Sequence, residues 1–273
     1  MRDLIKMDLF KLKKTRFFIA VMIVAFGVTF AAPLLVKGFI ELLKNMLESS
    51  GSADPYSAGE LQMLARDLSR PIGFSAILRS PLGGLQLVTI PVMIFIVSFL
   101  HRDLNQGYIK NLAGQVPSRG YLAVSKYIVI CLAEAVLFIL GIAGSTLGTL
   151  ISRGISFDSD VGSGLLECLL KLLILWGLSA VLLLISTGLG KKSFAIVVSV
   201  IFATGALAII YMPLSFALQQ LFNTPDIHIE QYVPDQMFGM TNINVGAALA
   251  GSLILIIAGL YGTVTLMNKR DVK

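Results

Sequence analysis

The chain has 273 residues, of which 56% are hydrophobic and 14% charged, with a mean hydropathy of +0.83. Soluble domains carry about 25% charged residues, so this balance excludes a soluble globular protein and points to a single membrane domain over residues 1–273. The net charge of +6 sits beside apolar runs, where cations set orientation and meet anionic lipid head groups, so it does not indicate nucleic acid.

Residues 1–16 hold Arg2, Lys6, Lys11, Lys13, Lys14 and Arg16 around a narrow stripe of Ile5, Leu9 and Leu12. Those three fall at i, i+4 and i+7. The spacing predicts an amphipathic helix lying on the inner membrane surface. Residues 17–36 carry no charge, a run long enough to cross roughly 30 Å of hydrocarbon. This is span one, with Pro33 near its end.

Residues 37–80 form an enlarged first outer loop. Phe39, Ile40, Leu42, Leu43, Met46 and Leu47 suggest an amphipathic helical continuation, and Leu61, Met63, Leu64 and Leu68 a second helical pattern, stopped by Pro71, the two packed as short helices in an external cap or on the outer surface. The turn-rich text at 51–59 separates them. Span two covers 81–100 and ends on His101, Arg102 and Asp103. Span three covers 127–151 and contains Glu134. It also carries Gly141, Gly144 and Gly148, a small-residue seam suited to close helix packing. Span four, 165–189, opens with Glu167 and Lys171, which share a helix face at i, i+4 and can neutralise each other. Span five runs over 193–221, with Pro213 near its far end, and span six over 245–267.

Lysine and arginine cluster in the N-terminal tail, the 101–126 loop, the 190–192 turn and the C-terminal tail. The turn at 152–164 has only Arg153, and 222–244 has none. The positive-inside rule then places both termini on the inner side of six alternating spans. The expected fold is an all-α polytopic membrane protein with six transmembrane helices.

No catalytic constellation is visible. The phosphate-cradling pattern is absent, since GLGKKS at 188–193 lacks the first glycine spacing and joins two spans. His101 and His228 fall on opposite sides and cannot share a metal. Cys131 and Cys168 both lie in apolar spans and form no metal or disulfide framework. Ionisable groups inside spans are functional candidates by default. These are Glu134, expected to pair with a basic residue of another span or of a partner subunit, and the Glu167–Lys171 pair.

The polar stretch at 102–126 reads RDLNQGYIKNLAGQVPSRGYLAVSK. Gly107, Gly114 and Pro117 punctuate it. One short helix between the glycines places Tyr108, Ile109 and Leu112 on one side. A short helix tied at both ends to membrane helices is a rigid connector; the plainer alternative is a solvated loop that only caps the helix ends.

With this stretch the chain resembles the permease subunits of bacterial ABC exporters of the second class. The resemblance covers the whole chain and is sharpest at Asp103, Gly107, Tyr108, Ile109, Lys110, Pro117, Ser118, Arg119 and Lys126. Asp103 stands where Glu is commoner in that family, and Tyr108 where Thr or Ser is commoner. The resemblance implies a dimer, homo- or heteromeric, of such subunits with two copies of a separate ATPase subunit. The 101–126 loop is then the coupling loop, with Leu112 completing its apolar side. It implies no cofactor in this chain, ATP and Mg being held by the partner, and a place in the bacterial cell membrane. It further implies export of drugs, lipid-like molecules or amphipathic peptides, with antimicrobial-peptide export or immunity as the subgroup most similar. The other readings are a proton-coupled secondary transporter using Glu134 and a non-transporting membrane scaffold or sensor partner.

Overall fold

Backbone in hydrocarbon has no water to bond, so each apolar run must close its own N–H···O=C ladder, and helices result. The computed structural model describes residues 1–49, 63, 70–79, 89–105, 120–189, 192–222, 228–237, 240 and 243–269, and these are overwhelmingly helical. In chain order the helices are α1 (Arg2–Lys14), α2 (Arg16–Ser49), α3 (Phe74–Arg79), α4 (Thr89–Asn105), α5 (Gly120–Ser152), α6 (Val161–Leu189), α7 (Lys192–Thr204), α8 (Ala208–Phe222), α9 (Pro234–Met237) and α10 (Val245–Lys269). Two short strands, β1 (Ile72–Gly73) and β2 (Ile155–Ser156), pair in parallel, with Ile72 opposite Ile155.

Among the described residues α2, α5, α6 and α10 are each long and apolar enough to cross a membrane. The pair α7–α8 adds a fifth crossing if it is one span, bent by 57°. α4 is a shorter apolar helix, and residues 81–88 of the expected span two lie outside the described residues.

The helical continuation expected after span one forms, and it is the far half of the same helix rather than a short cap helix of its own: α2 runs without a break from Arg16 to Ser49 and carries Pro33 inside it. A proline removes one ladder bond from a helix, and α2 continues through that loss. Leu35, Phe39, Leu42 and Met46 then fall at helical spacing on its far half and are all exposed. Span five is not continuous. It breaks at 205–207, where Gly205 takes φ +65°, a left-handed backbone that favours glycine. Pro213, the more conspicuous breaker in the sequence, lies inside α8.

Packing follows the small residues. α5 lies against α2, where a Cβ on Gly144 would stand 2.8 Å from the Phe26 carbonyl oxygen and one on Gly148 would meet the Phe30 carbonyl group. The expected seam is therefore the α2–α5 contact. α6 and α10 make the most extensive contact in the fold. A Cβ on Gly259 would come 2.7 Å from the Ala180 carbonyl carbon there. In a bilayer such close approach supplies the van der Waals contact that hydrophobicity alone does not. The main core joins α1, α2, α4, α5, α6, α7 and α10 through Leu12, Phe18, Phe95, Ile130, Leu182, Ala195 and Ala248, among others.

Candidate functional site

Among the described residues Asp235 of α9 is a buried carboxylate that accepts from Gln236; the other buried charges lie in three places, each built by packing rather than by local sequence. At one end of the helices, α1 presents Ile5, Asp8, Leu9 and Leu12 on a single face. Leu12 and Asp8 are buried and the other two packed against the core. Asp8 Oδ1 lies 3.8 Å from Lys126 Nζ, and both side chains are almost fully buried. The Ser125 hydroxyl also lies 3.5 Å from Asp8 Oδ2, at the limit of hydrogen bonding. The Lys126 ammonium stands 5.7 Å from the centroid of the Phe99 ring, within cation–π reach. Asp8, Lys126 and Phe99 therefore tie α1, α5 and α4 together. A buried pair of this kind offsets the desolvation of its two ions only while both are present.

Of the expected coupling residues, Asp103 falls in the last turn of α4. Its side chain, together with Gly107, Tyr108, Ile109, Lys110, Leu112, Pro117 and Arg119, lies outside the described residues. Lys126, at the other end of that loop, lies against Asp8.

The second place is the α5–α6 interface. Tyr127 donates to the Trp176 carbonyl at 2.9 Å, and Trp176 Nε1 donates to the Cys131 carbonyl at 3.2 Å. The Ser179 hydroxyl donates to Glu134 Oε1 in a short hydrogen bond. Glu134 is buried, and its Oε2 has no hydrogen-bond partner. Among the described residues the contact Glu134 makes is therefore with a hydroxyl on the neighbouring helix, and the carboxyl has room in its bonding for a further donor.

The third place is the opposite end of α5 and α6. Arg79, the last residue of α3, lies 3.4 Å from Glu167 and 3.6 Å from Asp160, and donates to Ser163 Oγ at 2.9 Å. Lys171 donates to the Arg79 carbonyl oxygen. Glu167 and Lys171 are thus close enough to feel each other's charge, while each makes its direct contact with Arg79. Both do share a face, but Arg79 takes the carboxylate, while the ammonium caps the C-terminal end of α3, where carbonyls lack helical partners. Alongside, Asp158 accepts the Ser75 amide at 3.2 Å and, in a short bond, the Ser75 hydroxyl. The Ser75 hydroxyl bond is the main cause holding the Asp158 carboxyl below its usual range. With β1–β2 beside it, this network fastens residues 70–79 onto the turn between α5 and α6.

Sequence reasoning missed Asp8, Arg79, Asp158 and Ser179. For Asp8 a signal was present, since a carboxylate at i+3 on the stripe of Ile5, Leu9 and Leu12 must meet a cation if that stripe is buried. No group of three His, Cys, Asp or Glu residues placed to hold a metal occurs among the described residues. No protein-family model matches the chain, and no curated protein matches it.

Proposed function

We propose that this chain is the membrane-spanning subunit of an ATP-driven exporter in the bacterial cell membrane. It works as a dimer of such subunits with two copies of a separate ATPase. The substrate class is amphipathic peptides, drugs or lipid-like molecules, including antimicrobial peptides. The observation that carries the reading is the Asp8–Lys126 pair. It seats the basic surface helix α1 on the helix that leaves the 101–126 loop. The loop and α1 then form one platform, and a soluble ATPase pressing on it moves α5 directly.

The reading takes α2, α4 with 81–88, α5, α6, α7–α8 and α10 as six spans with both termini inside. It is supported by β1 pairing with β2, because in that alternation the segments after spans one and three lie on the same side. The exposed stripe of Leu35, Phe39, Leu42 and Met46 gives an amphiphile an apolar surface along α2. In the 107–113 segment Ile109 and Leu112 supply an apolar knob, and Lys110 and Arg119 the charge that orients it.

The test is co-purification with an ATPase subunit from the same cell. Replacing Ile109 and Leu112 together by Asp leaves the permease inserted but abolishes ATPase docking or transport. Truncating well-buried anchors costs on the order of 2 kcal/mol each, enough to weaken docking many-fold. Normal docking and normal transport in the double variant would overturn the assignment. The bare Oε2 of buried Glu134 favours one second reading, a proton-coupled transporter. Transport in liposomes driven by a proton gradient without ATP, and lost in Glu134→Gln, would select it.

A further inference from the structure

A cleft of about 390 Å³ opens at the end of the fold that holds Asp8 and Lys126. Three aromatic rings wall it. Phe17 and Phe95 have centroids 6.0 Å apart, and Phe95 and Phe99 are also 6.0 Å apart. Arg102 and Lys192 line it as well, both with exposed side chains. Among the described residues neither has a carboxylate partner. His101 also lines the cleft. It is 1% exposed, and neither ring nitrogen has a hydrogen-bond partner.

The order of these groups is directional. On α4, Phe95, Phe99 and Arg102 recur at i, i+4 and i+7, so they share one face, apolar toward the middle of the fold and cationic toward its end. Lys192 begins α7, so the positive end of that helix faces the same cleft. A ligand that satisfies all of this carries a phosphate at one end and hydrocarbon at the other. A neutral imidazole offers one N–H donor, and a phosphate oxygen would satisfy it. A free phosphate uses the cations but leaves the exposed face of Phe17 uncovered. A zwitterionic head group brings an ammonium close to Arg102 and Lys192.

We infer that this cleft binds the phosphate head group of an anionic phospholipid from the adjoining leaflet, with its upper acyl chain against Phe17, the exposed member of the ring cluster. The inference stands on the cleft alone and holds whether the chain exports substrate with ATP or not.

The test is native mass spectrometry of the full chain in detergent, titrated separately with phosphatidylglycerol, phosphatidylcholine and inorganic phosphate. Phosphatidylglycerol adds as one saturating adduct and raises the unfolding temperature, and the other two do neither at the same concentration. The Arg102→Gln/Lys192→Gln variant weakens that adduct on the order of tenfold or more, as expected for two cations at a membrane surface. Lys13→Gln/Lys14→Gln removes the same charge from the same end, on α1, and leaves the adduct unchanged. Because Arg102 and Lys192 are exposed, the unbound double variant melts as the parent does. Equal binding by parent and R102Q/K192Q overturns the inference. Equal loss in K13Q/K14Q also overturns it, reducing the effect to general surface charge. So does tight binding of phosphatidylcholine, or displacement of the lipid by inorganic phosphate.

Discussion

Asp8 and Lys126 stand 3.8 Å apart, buried between the surface helix α1 and the first turns of α5. Neither ion is tolerable there alone. Removing one partner of a buried pair typically costs about 3–5 kcal/mol, whereas replacing both is often neutral or stabilising. We therefore expect Asp8→Asn and Lys126→Met each to lower the melting temperature in detergent by many degrees. The double variant should recover most of the loss. Additive losses would show that the two residues act separately.

Gly148 is the tightest point of the α2–α5 seam, where an added Cβ would sit 3.1 Å from the Phe30 carbonyl carbon and closer still to its oxygen. Backbone cannot give way as a flexible side chain can. Gly148→Leu should cost about 1–3 kcal/mol or more through overpacking. Gly162, with nothing within 4 Å of an added Cβ, serves as the control, and Gly162→Ala should leave the melt unchanged.

The Ser75–Asp158 contact predicts a pH dependence at one end of the protein only. The Asp158 carboxyl is held below its usual range by the Ser75 hydroxyl. Its folded value is thus lower than its unfolded value of about 3.9. For a depressed acid the contribution is whole above the unfolded value and is lost as pH falls through the folded one. The protection factors of the Ile72 and Gly73 amides, measured against the intrinsic exchange rate at each pH, should be high at pH 6 and fall below about pH 4. In Asp158→Ala the protection should be low at both pH values, with no step between them.

Sidedness is open to direct labelling in a background where Cys131 and Cys168, the two native cysteines, are replaced by Ala. Single cysteines at Asn111 and Lys273 should react only with inner reagents, and those at Ser57 and Ile229 only with outer ones. Reversal or protection at any two of these positions would rule out six spans with both termini inside.

The sequence by itself determined the class and the inventory of apolar segments. The lengths of the uncharged runs are set by composition, and in hydrocarbon the helix is the form in which one apolar run satisfies all of its backbone within itself. It also determined that a small-residue seam exists on α5, because Gly144 and Gly148 recur at helical spacing. Likewise Ile5, Leu9 and Leu12 declare the buried face of α1 through their period alone. The tertiary structure decided everything that depends on which helices are neighbours. That Gly144 and Gly148 meet α2 follows from where Phe26 and Phe30 lie. That Glu167 goes to Arg79, and Lys171 to a carbonyl, follows from the docking of α3, whose residues are far away in the chain. Glu134 meets Ser179 only because α5 and α6 pack side by side. The bend in span five turns on the positive φ of Gly205 rather than on the visible Pro213, and a single glycine in an apolar run carries no local mark of the backbone angle it will adopt. Intramembrane charges are the extreme case. Each is costly unless a partner arrives from another helix, so their chemistry is written in pairs of positions that no local window of sequence contains.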